Sequence, residues 1–318
     1  MRRYRSLGGL PLGGRRRVVA VGTFDGVHMG HQAIIHRAIE IANERRVDSM
    51  ALTFEPQPIA VLRPELKPAV LTAIGLKSQL IERLGVDELL VVPFTRAFSR
   101  IRAERFIEML LSPPVAAEAV VVGENFRFGH GGAGTVEMLA QFGRSRGLTV
   151  ETPAMVTSDD GKPISSTRIR RLVATGQVSE VIPLLGRPHS VEGVVVPGDR
   201  RGRTMGLPTA NLEIAGDSAL PSRGVYAGTA VLAAGRVTAA VNIGVAPTFT
   251  ASEPRSVLRL EAFLLDYDGG DVYGQAMRIE FLERLRDERR FDSADALVAQ
   301  IRADIEATRE VARRAGGS

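Results

Sequence analysis

Two histidines three residues apart and one acidic residue far downstream carry the chemical information in this sequence. His28 and His31 follow an apolar run, Val18 to Val21, that breaks at Gly22 and passes through Phe24-Asp25-Gly26. The spacing predicts a strand, a glycine turn and the start of a helix bearing two imidazoles. Unpaired backbone N–H groups and the helix dipole make such a start an anion site. Imidazoles at i and i+3 can donate to the same phosphate oxygens. His36, alone on the same predicted helix, reads as an ordinary surface or satisfied core residue. The acidic candidate, Glu261, sits in the apolar stretch Arg259 to Asp266. Pointing inward it would need a hydrogen-bonding or cationic partner; pointing outward it would be a surface glutamate, and the pattern leaves both open.

Further polar clusters accompany these groups. Ile164-Ser165-Ser166-Thr167-Arg168-Ile169-Arg170 puts three hydroxyls at a predicted helix start ahead of two arginines. Caps, free amides and guanidinium forks together suit an anion, although a capped helix with exposed arginines has the same pattern. The segment from Gly198 to Leu212 is rich in glycine around Thr209 and Asn211, whose hard oxygens suit Mg²⁺ and whose loop amides suit phosphate. Gly129, Gly131 and Gly134 match a dinucleotide-binding glycine pattern. They stand in a late βα connection, however, and the segment from Glu124 to Phe128 separates them from the strand. No GxxxxGK[ST] occurs, which excludes a P-loop kinase.

The elements that must position these groups fall into two kinds. The first half alternates strands and helices: Ser49–Phe54, Thr72–Leu84, Glu88–Phe94, Ser99–Leu111, Glu118–Val122, Thr135–Arg146 and Leu148–Met155. Such alternation predicts a doubly wound α/β parallel sheet, with ligands at the carboxyl ends of its strands, where His28 falls. The helix after His31 should bury Ile34, Ala38, Ile41 and Ala42. Helices Thr167–Ala174 and Val178–Leu184 close that half near residue 186. Short strands then follow at close spacing, at Val191–Val196, Asn211–Ile214, Val225–Leu232, Val237–Ile243, Val257–Leu265 and Ala276–Leu282. They predict an antiparallel barrel or sandwich, and a last helix runs from about Ser293 to Arg313.

With 318 residues the chain can hold two cores, and it has no cysteine, so disulfides and thiolate metal sites are excluded. No long apolar run predicts a membrane span, and the arginine-bearing N-terminus lacks a signal-peptide core, which points to the cytoplasm. A net charge of +5 is carried almost wholly by arginines dispersed among acidic residues. That distribution describes solvated faces rather than a nucleic-acid surface.

In its extended form, GTFDGVHMGH, the first motif resembles the HxGH signature of nucleotidylyltransferases and, more closely, that of the bacterial riboflavin kinase/FAD synthetase family. TFEPQP at 53–58, GENFRFG at 123–129, ISSTRIR at 164–170, GRTMGLPTANL at 202–212, GVYAG at 224–228 and VNIGVAPTF at 241–249 extend the resemblance in one order. The resemblance implies an FMN adenylyltransferase domain over residues 1–186 and an antiparallel-barrel riboflavin kinase domain with a terminal helix over 187–318. It implies ATP as substrate of both steps, Mg²⁺ as cofactor, and riboflavin and FMN as the other substrates, with no nucleic-acid or membrane partner. In the first domain His28 and His31 are then catalytic, and Gly22, Phe24, Asp25, Gly26, Gly30, Asn125, Ser165, Ser166, Thr167 and Arg168 bind ATP or flavin. In the second, Gly206, Pro208, Thr209 and Asn211 bind Mg-ATP, Thr209 and Asn211 through the metal, and Glu261 is the general base. Phe126 and Phe128 are either core or flavin-stacking. Gln57, Thr135, Phe263 and the pair Gly269-Gly270 depart from the family pattern. Oligomeric state is not readable.

Overall fold

The computed structural model describes residues 1–316 except 14, 198–208, 215, 247–256 and 290. The chain divides into two compact units, Met1–Pro68 with Thr72–Ser165, and Ala69–Leu71 with Ser166–Ser318.

The first unit contains, in chain order, β1 (Arg2–Tyr4), β2 (Arg17–Val21), α1 (Met29–Arg45), β3 (Asp48–Glu55), α2 (Pro58–Leu62), α3 (Ile74–Arg83), β4 (Glu88–Pro93), α4 (Ala103–Leu111), β5 (Ala117–Val121), α5 (Val136–Arg144) and β6 (Thr149–Glu151). The strands form a six-stranded parallel sheet in the order β1-β4-β3-β2-β5-β6. Alternate residues of β2 feed two cores. Val19 and Val21 pack with Phe106 and Leu110 of α4 and Leu139 of α5. Val18 and Ala20 pack with Ile35, Ala38 and Ile41 of α1 and Leu76 and Ile81 of α3. Both sheet faces are therefore covered, which is why the strands read as unbroken apolar runs. In α1 Ala38, Ile41 and Ala42 are buried as expected, but Ile35 is buried in place of Ile34, which is half-buried. Ile35 shares a face with Ala38 and Ala42, three and seven residues on. Strand β1, too short and too basic to give a periodic signal, pairs Arg2 to Tyr4 with Glu88 to Leu90.

One ion pair lies inside this unit at the amino end of the sheet. Arg17 and Glu88 are 1% and 0% exposed and meet at 2.5 Å, and the Arg17 guanidinium also donates to the Pro114 and Val115 carbonyls.

The second unit opens with helices α6 (Ser166–Ala174) and α7 (Val178–Leu185). Six strands follow: β7 (His189–Val196), β8 (Thr209–Ile214), β9 (Gly224–Leu232), β10 (Gly235–Ala246), β11 (Val257–Leu264) and β12 (Ala276–Arg286). They close into an antiparallel barrel in the order β10-β11-β8-β7-β12-β9. Closure selects the barrel over the sandwich that the sequence also allowed. Its interior is filled by residues including Val195, Leu212, Tyr226, Val241, Leu260, Ala262 and Phe281. The terminal helix α8 (Ala294–Gly316) packs against β9, β10 and β12. Arg286 of β12 grips Asp304 of α8 with a forked pair of contacts at 3.0 and 2.7 Å, and Gln300 donates to the same carboxylate.

Removing one partner of a buried ion pair leaves the other charge uncompensated, at a cost of about 3–5 kcal/mol. Glu88→Ala is expected to destabilise the parallel-sheet unit by that amount. Urea unfolding followed by probes in each unit will check it: the barrel's transition should stay in place.

Candidate functional site

The carboxyl end of β2 borders β5, where the strand order reverses, and such switch points are where open parallel sheets bind ligands. The turn that leaves β2 there is unusually bent. Phe24, Gly26 and Val27 have φ of 48°, 87° and 43°. Non-glycine residues in that region carry strain of order 1–3 kcal/mol, so surrounding contacts must hold them. The Thr23 carbonyl accepts from Thr53 Oγ1 and Lys77 Nζ, both at 3.0 Å. Asp25, 1% exposed, accepts from the Thr72 backbone N–H at 3.2 Å. Burial pushes the Lys77 ammonium below its ordinary range, while the charges of Asp25 and Glu55 draw it back up. Lys77 and Thr53 were not legible as site-supporting residues in the sequence: one is a single lysine in an amphipathic helix, the other a threonine in a strand.

The turn ends at His28, the N-cap of α1, whose Nδ1 accepts from the His31 backbone N–H at 3.3 Å. In the neutral ring that geometry assigns the proton to Nε2. The two imidazoles stack with centroids 3.5 Å apart and planes 19° apart. Phe24, fully buried, sets its ring against His31 edge-on at 5.5 Å. Two glycines make this arrangement fit. A Cβ on Gly22 would meet the Phe24 ring at 2.7 Å, and one on Gly30 would meet His28 Cε1 at 3.2 Å. The same point over Gly30 lies 3.8 Å from the Ile164 carbonyl, so the chain leading into Ser165 runs beside the histidines. Ser165 directly precedes α6, and Ser166, Thr167 and Arg168 form its first turn in the second unit.

Asn125 is exposed in the connection after β5. Phe128 is core, packed on Phe106 at 5.2 Å, with the half-buried Phe126 stacked on it at 5.5 Å. Two glycines of the dinucleotide-like pattern serve packing there, and the third, Gly131, takes a positive φ of 64°. A Cβ on Gly129 would strike the Ala103 backbone at 2.7 Å, and one on Gly134 the Phe128 ring at 2.5 Å. Thr135 caps α5 by accepting from the Met138 N–H at 3.2 Å. A threonine does there what an aspartate would do.

In the barrel, strand register gathers the polar residues. Glu261 of β11 stands directly opposite Asn211 of β8 on one side and Asn242 of β10 on the other. Their chain neighbours Leu260, Ala262, Ala210, Leu212, Val241 and Ile243 all point into the core. The row Asn211–Glu261–Asn242 therefore lies on the outer face, with Thr209 two residues before Asn211 on the same face. Glu261 faces outward, yet it is half-buried and flanked by two amides, unlike a surface glutamate. Asn211 is 9% exposed, and its Oδ1 accepts no hydrogen bond from any described residue. A buried amide oxygen of this kind suits a hard cation that keeps several of its own waters. Among the described residues no cluster of three His, Asp or Glu offers a metal cage. Gly206 and Pro208 lie outside the described residues.

A parallel-sheet unit with paired imidazoles at its switch point, followed by a closed barrel with a carboxylate between two amides, defines a two-domain nucleotide-dependent transferase. The FAD synthetase family model matches residues 13–168 and the riboflavin kinase model residues 185–312. The bifunctional riboflavin kinase/FMN adenylyltransferase of Listeria monocytogenes is 35% identical over 92% of this chain and 91% of its own. That of Escherichia coli K12 is 36% identical over 92% of both chains. The chain belongs to the bifunctional riboflavin kinase/FMN adenylyltransferase family, and it is an enzyme with both activities, using ATP in each. A Streptococcus pneumoniae crystal structure described as a macrolide-efflux protein shares the fold, with TM-score 0.84 and 31% identity over 96% of this chain and 98% of that one. Among the described residues no helix here is long and apolar enough to cross a membrane.

Gly30→Ala separates packing from chemistry. Alanine favours the helix by about 1 kcal/mol, but its methyl displaces the His28 ring. FAD formation from supplied FMN is expected to fall at least tenfold while thermal stability holds or rises; chromatography and a thermal melt check the two halves.

Proposed function

We propose that the barrel phosphorylates riboflavin at the end of its ribityl chain and that the parallel-sheet domain adenylylates the FMN so formed, with the functional boundary at residue 186. The observation that carries the kinase assignment is the register that sets Glu261 beside Asn211. Glu261 takes the proton of the 5′-hydroxyl as its oxygen bonds to the γ-phosphorus of ATP and ADP leaves. Thr209 and Asn211 are the residues that would hold Mg²⁺, which when bound neutralises charge on the ATP phosphates. The unpartnered Asn211 Oδ1 supports that role.

In the second step an FMN phosphate oxygen bonds to the α-phosphorus of a second ATP, and pyrophosphate leaves. That phosphate is already ionised at neutral pH, so no strong base is required. His28, through Nε2–H, and His31 stabilise charge developing on the α-phosphate and the leaving group. The α1 N-terminus adds its amides, and Gly22, Asp25, Gly26 and Gly30 are assigned to the nucleotide-binding turn, where the two outer glycines make room for the Phe24 and His28 rings and Asp25 braces the turn. Phe24 acts through His31, which it orients. Asn125 belongs to the flavin side, and Ser165, Ser166, Thr167 and Arg168 are assigned to nucleotide phosphate by their motif. We assign the enzyme to the cytoplasm, a reading supported by its use of ATP in both steps.

Purified protein with riboflavin, ATP and Mg²⁺ is expected to yield FMN and FAD, resolved by chromatography, and chelating Mg²⁺ should suppress the kinase step. Glu261→Ala should abolish FMN formation, by about 10²-fold or more as expected for a lost general base, yet leave FAD synthesis from supplied FMN. His28→Ala should do the reverse. Equal loss of both steps in either variant contradicts the assignment of one step to each domain.

A further inference from the structure

The strained turn that carries the histidines is held by three residues, and the position of one of them is set from an unexpected quarter. Thr53 belongs to β3 and Lys77 to α3, both elements of the parallel-sheet unit. Thr72, whose backbone N–H donates to Asp25 Oδ1 at 3.2 Å, lies between α2 and α3, outside any strand or helix. The three residues before it, Ala69–Leu71, belong with the barrel unit, whereas Pro68 and Thr72 on either side do not. The connection is exposed from Leu62 to Lys67 and turns inward only here, with Leu71 and Thr72 at 2% and 3% exposure. Where Ala69–Leu71 is anchored therefore decides where Thr72 begins.

The anchorage runs through backbone groups, whose directions a buried chain must satisfy. Val70 makes a parallel bridge to Ser218, in the connection between β8 and β9. Its N–H donates to the Asp217 carbonyl at 2.6 Å, and its carbonyl accepts from the Ala219 N–H at 2.9 Å. Arg170 Nε of α6 donates to the Ala69 carbonyl at 2.8 Å. Ala219 is held in turn, since its carbonyl lies 2.7 Å from His189 Nε2. A carbonyl only accepts, so this contact requires the proton on Nε2. His189 opens β7, is 1% exposed, and stacks on Phe281 of β12 with centroids 6.2 Å apart and planes 15° apart. The kinase reading leaves His189, Ala219 and Val70 without a task.

We propose that Ala69–Leu71 is a strap, anchored in the barrel unit, that positions Asp25 for adenylyl transfer through Thr72, and that His189 is a positioning residue for that step. The proposal rests on the assignment of adenylyl transfer to the His28 turn. Asp25 sits among Phe24, Gly26 and Val27, all at positive φ, and such a turn keeps its shape only while its surroundings fix it. Slackening the strap frees the Thr72 N–H from Asp25 and lets the turn relax, which moves the imidazoles. No group that contacts FMN or ATP is removed, so the loss falls on kcat rather than on KM.

The test uses the full-length enzyme and three variants. Val70→Pro lacks the N–H given to Asp217. His189→Phe keeps an aromatic ring against Phe281 but offers no donor to the Ala219 carbonyl, and His189→Gln supplies an amide donor again. For FAD synthesis from supplied FMN, kcat is expected to fall about tenfold in Val70→Pro and about fivefold in His189→Phe, with both KM values within about twofold. His189→Gln should stay within about twofold of wild type. FMN formation from riboflavin, unchanged in every variant, reports a folded barrel. Hydrogen exchange followed by mass spectrometry should show faster exchange in the peptide containing Thr72 in Val70→Pro and His189→Phe, and unchanged exchange in β2 and β3. A wild-type kcat for FAD synthesis, an equal loss of FMN formation, His189→Gln as impaired as His189→Phe, or unaltered exchange at Thr72 overturns the proposal. If instead His28→Ala retains full FAD synthesis while these variants behave as expected, the histidine assignment fails and the strap stands.

Discussion

A β-strand shows alternate residues to opposite faces, and the face left uncovered decides where a fold can place chemistry. In the first unit both faces of the central strands are buried under helices, which leaves little strand surface for a ligand. The reactive groups are pushed to the strand ends, into the connection between β2 and α1. In the barrel one face is core and the other is covered only in part, by α7 and α8. The polar row can therefore sit in the middle of strands, held to strand register rather than to a loop.

The two solutions place different demands on the surrounding chain. The β2–α1 turn has three residues at positive φ and is held from beneath by Lys77, Thr53 and Thr72. Its glycines are open spaces for rings: Gly22 for Phe24 and Gly30 for His28. The barrel row needs no such bracing, because pairing on both sides of β11 fixes Glu261. In the proposed function, Thr209 and Asn211 would hold Mg²⁺, which would partner the buried oxygen of Asn211. Strain therefore accompanies the proposed adenylyl-transfer site, and an unmet polar group among the described residues accompanies the proposed kinase site. Each is a place where function opposes local stability.

Much of this was legible in the sequence, for identifiable reasons. Long apolar runs separated by helical periods gave the parallel sheet, and short strands with turn residues between them gave the barrel. His28 and His31 stood out because a glycine turn preceded them. The face of Glu261 was not legible, since the alternation of Leu260 and Ala262 has no direction until β8 and β10 are paired with it. Ile35 replaced Ile34 in the α1 stripe because both spacings fit one helical face with Ala38, and only packing against the sheet chooses between them. Lys77, buried to hold one carbonyl, looks in sequence like any lysine of a surface helix. The glycines at 129, 131 and 134 mimicked a nucleotide loop, and only the packing of Ala103 against Gly129 and of Phe128 against Gly134 shows the purpose of those two, while Gly131 takes a positive φ of 64°. The kinase loops around Gly206 and Pro208 remain assigned by resemblance, lying outside the described residues.

The central claim is that one chain runs two transfers from ATP that break different phosphate bonds at different sites. Labelled ATP tests it most directly. With riboflavin as the starting flavin, label in the γ-phosphate should appear in FMN and persist in FAD, whereas label in the α-phosphate should appear in FAD and never in FMN. Starting from FMN, γ-label should enter pyrophosphate and no flavin. Label from the α-phosphate in FMN, or γ-label entering FAD when FMN is supplied, would contradict the account.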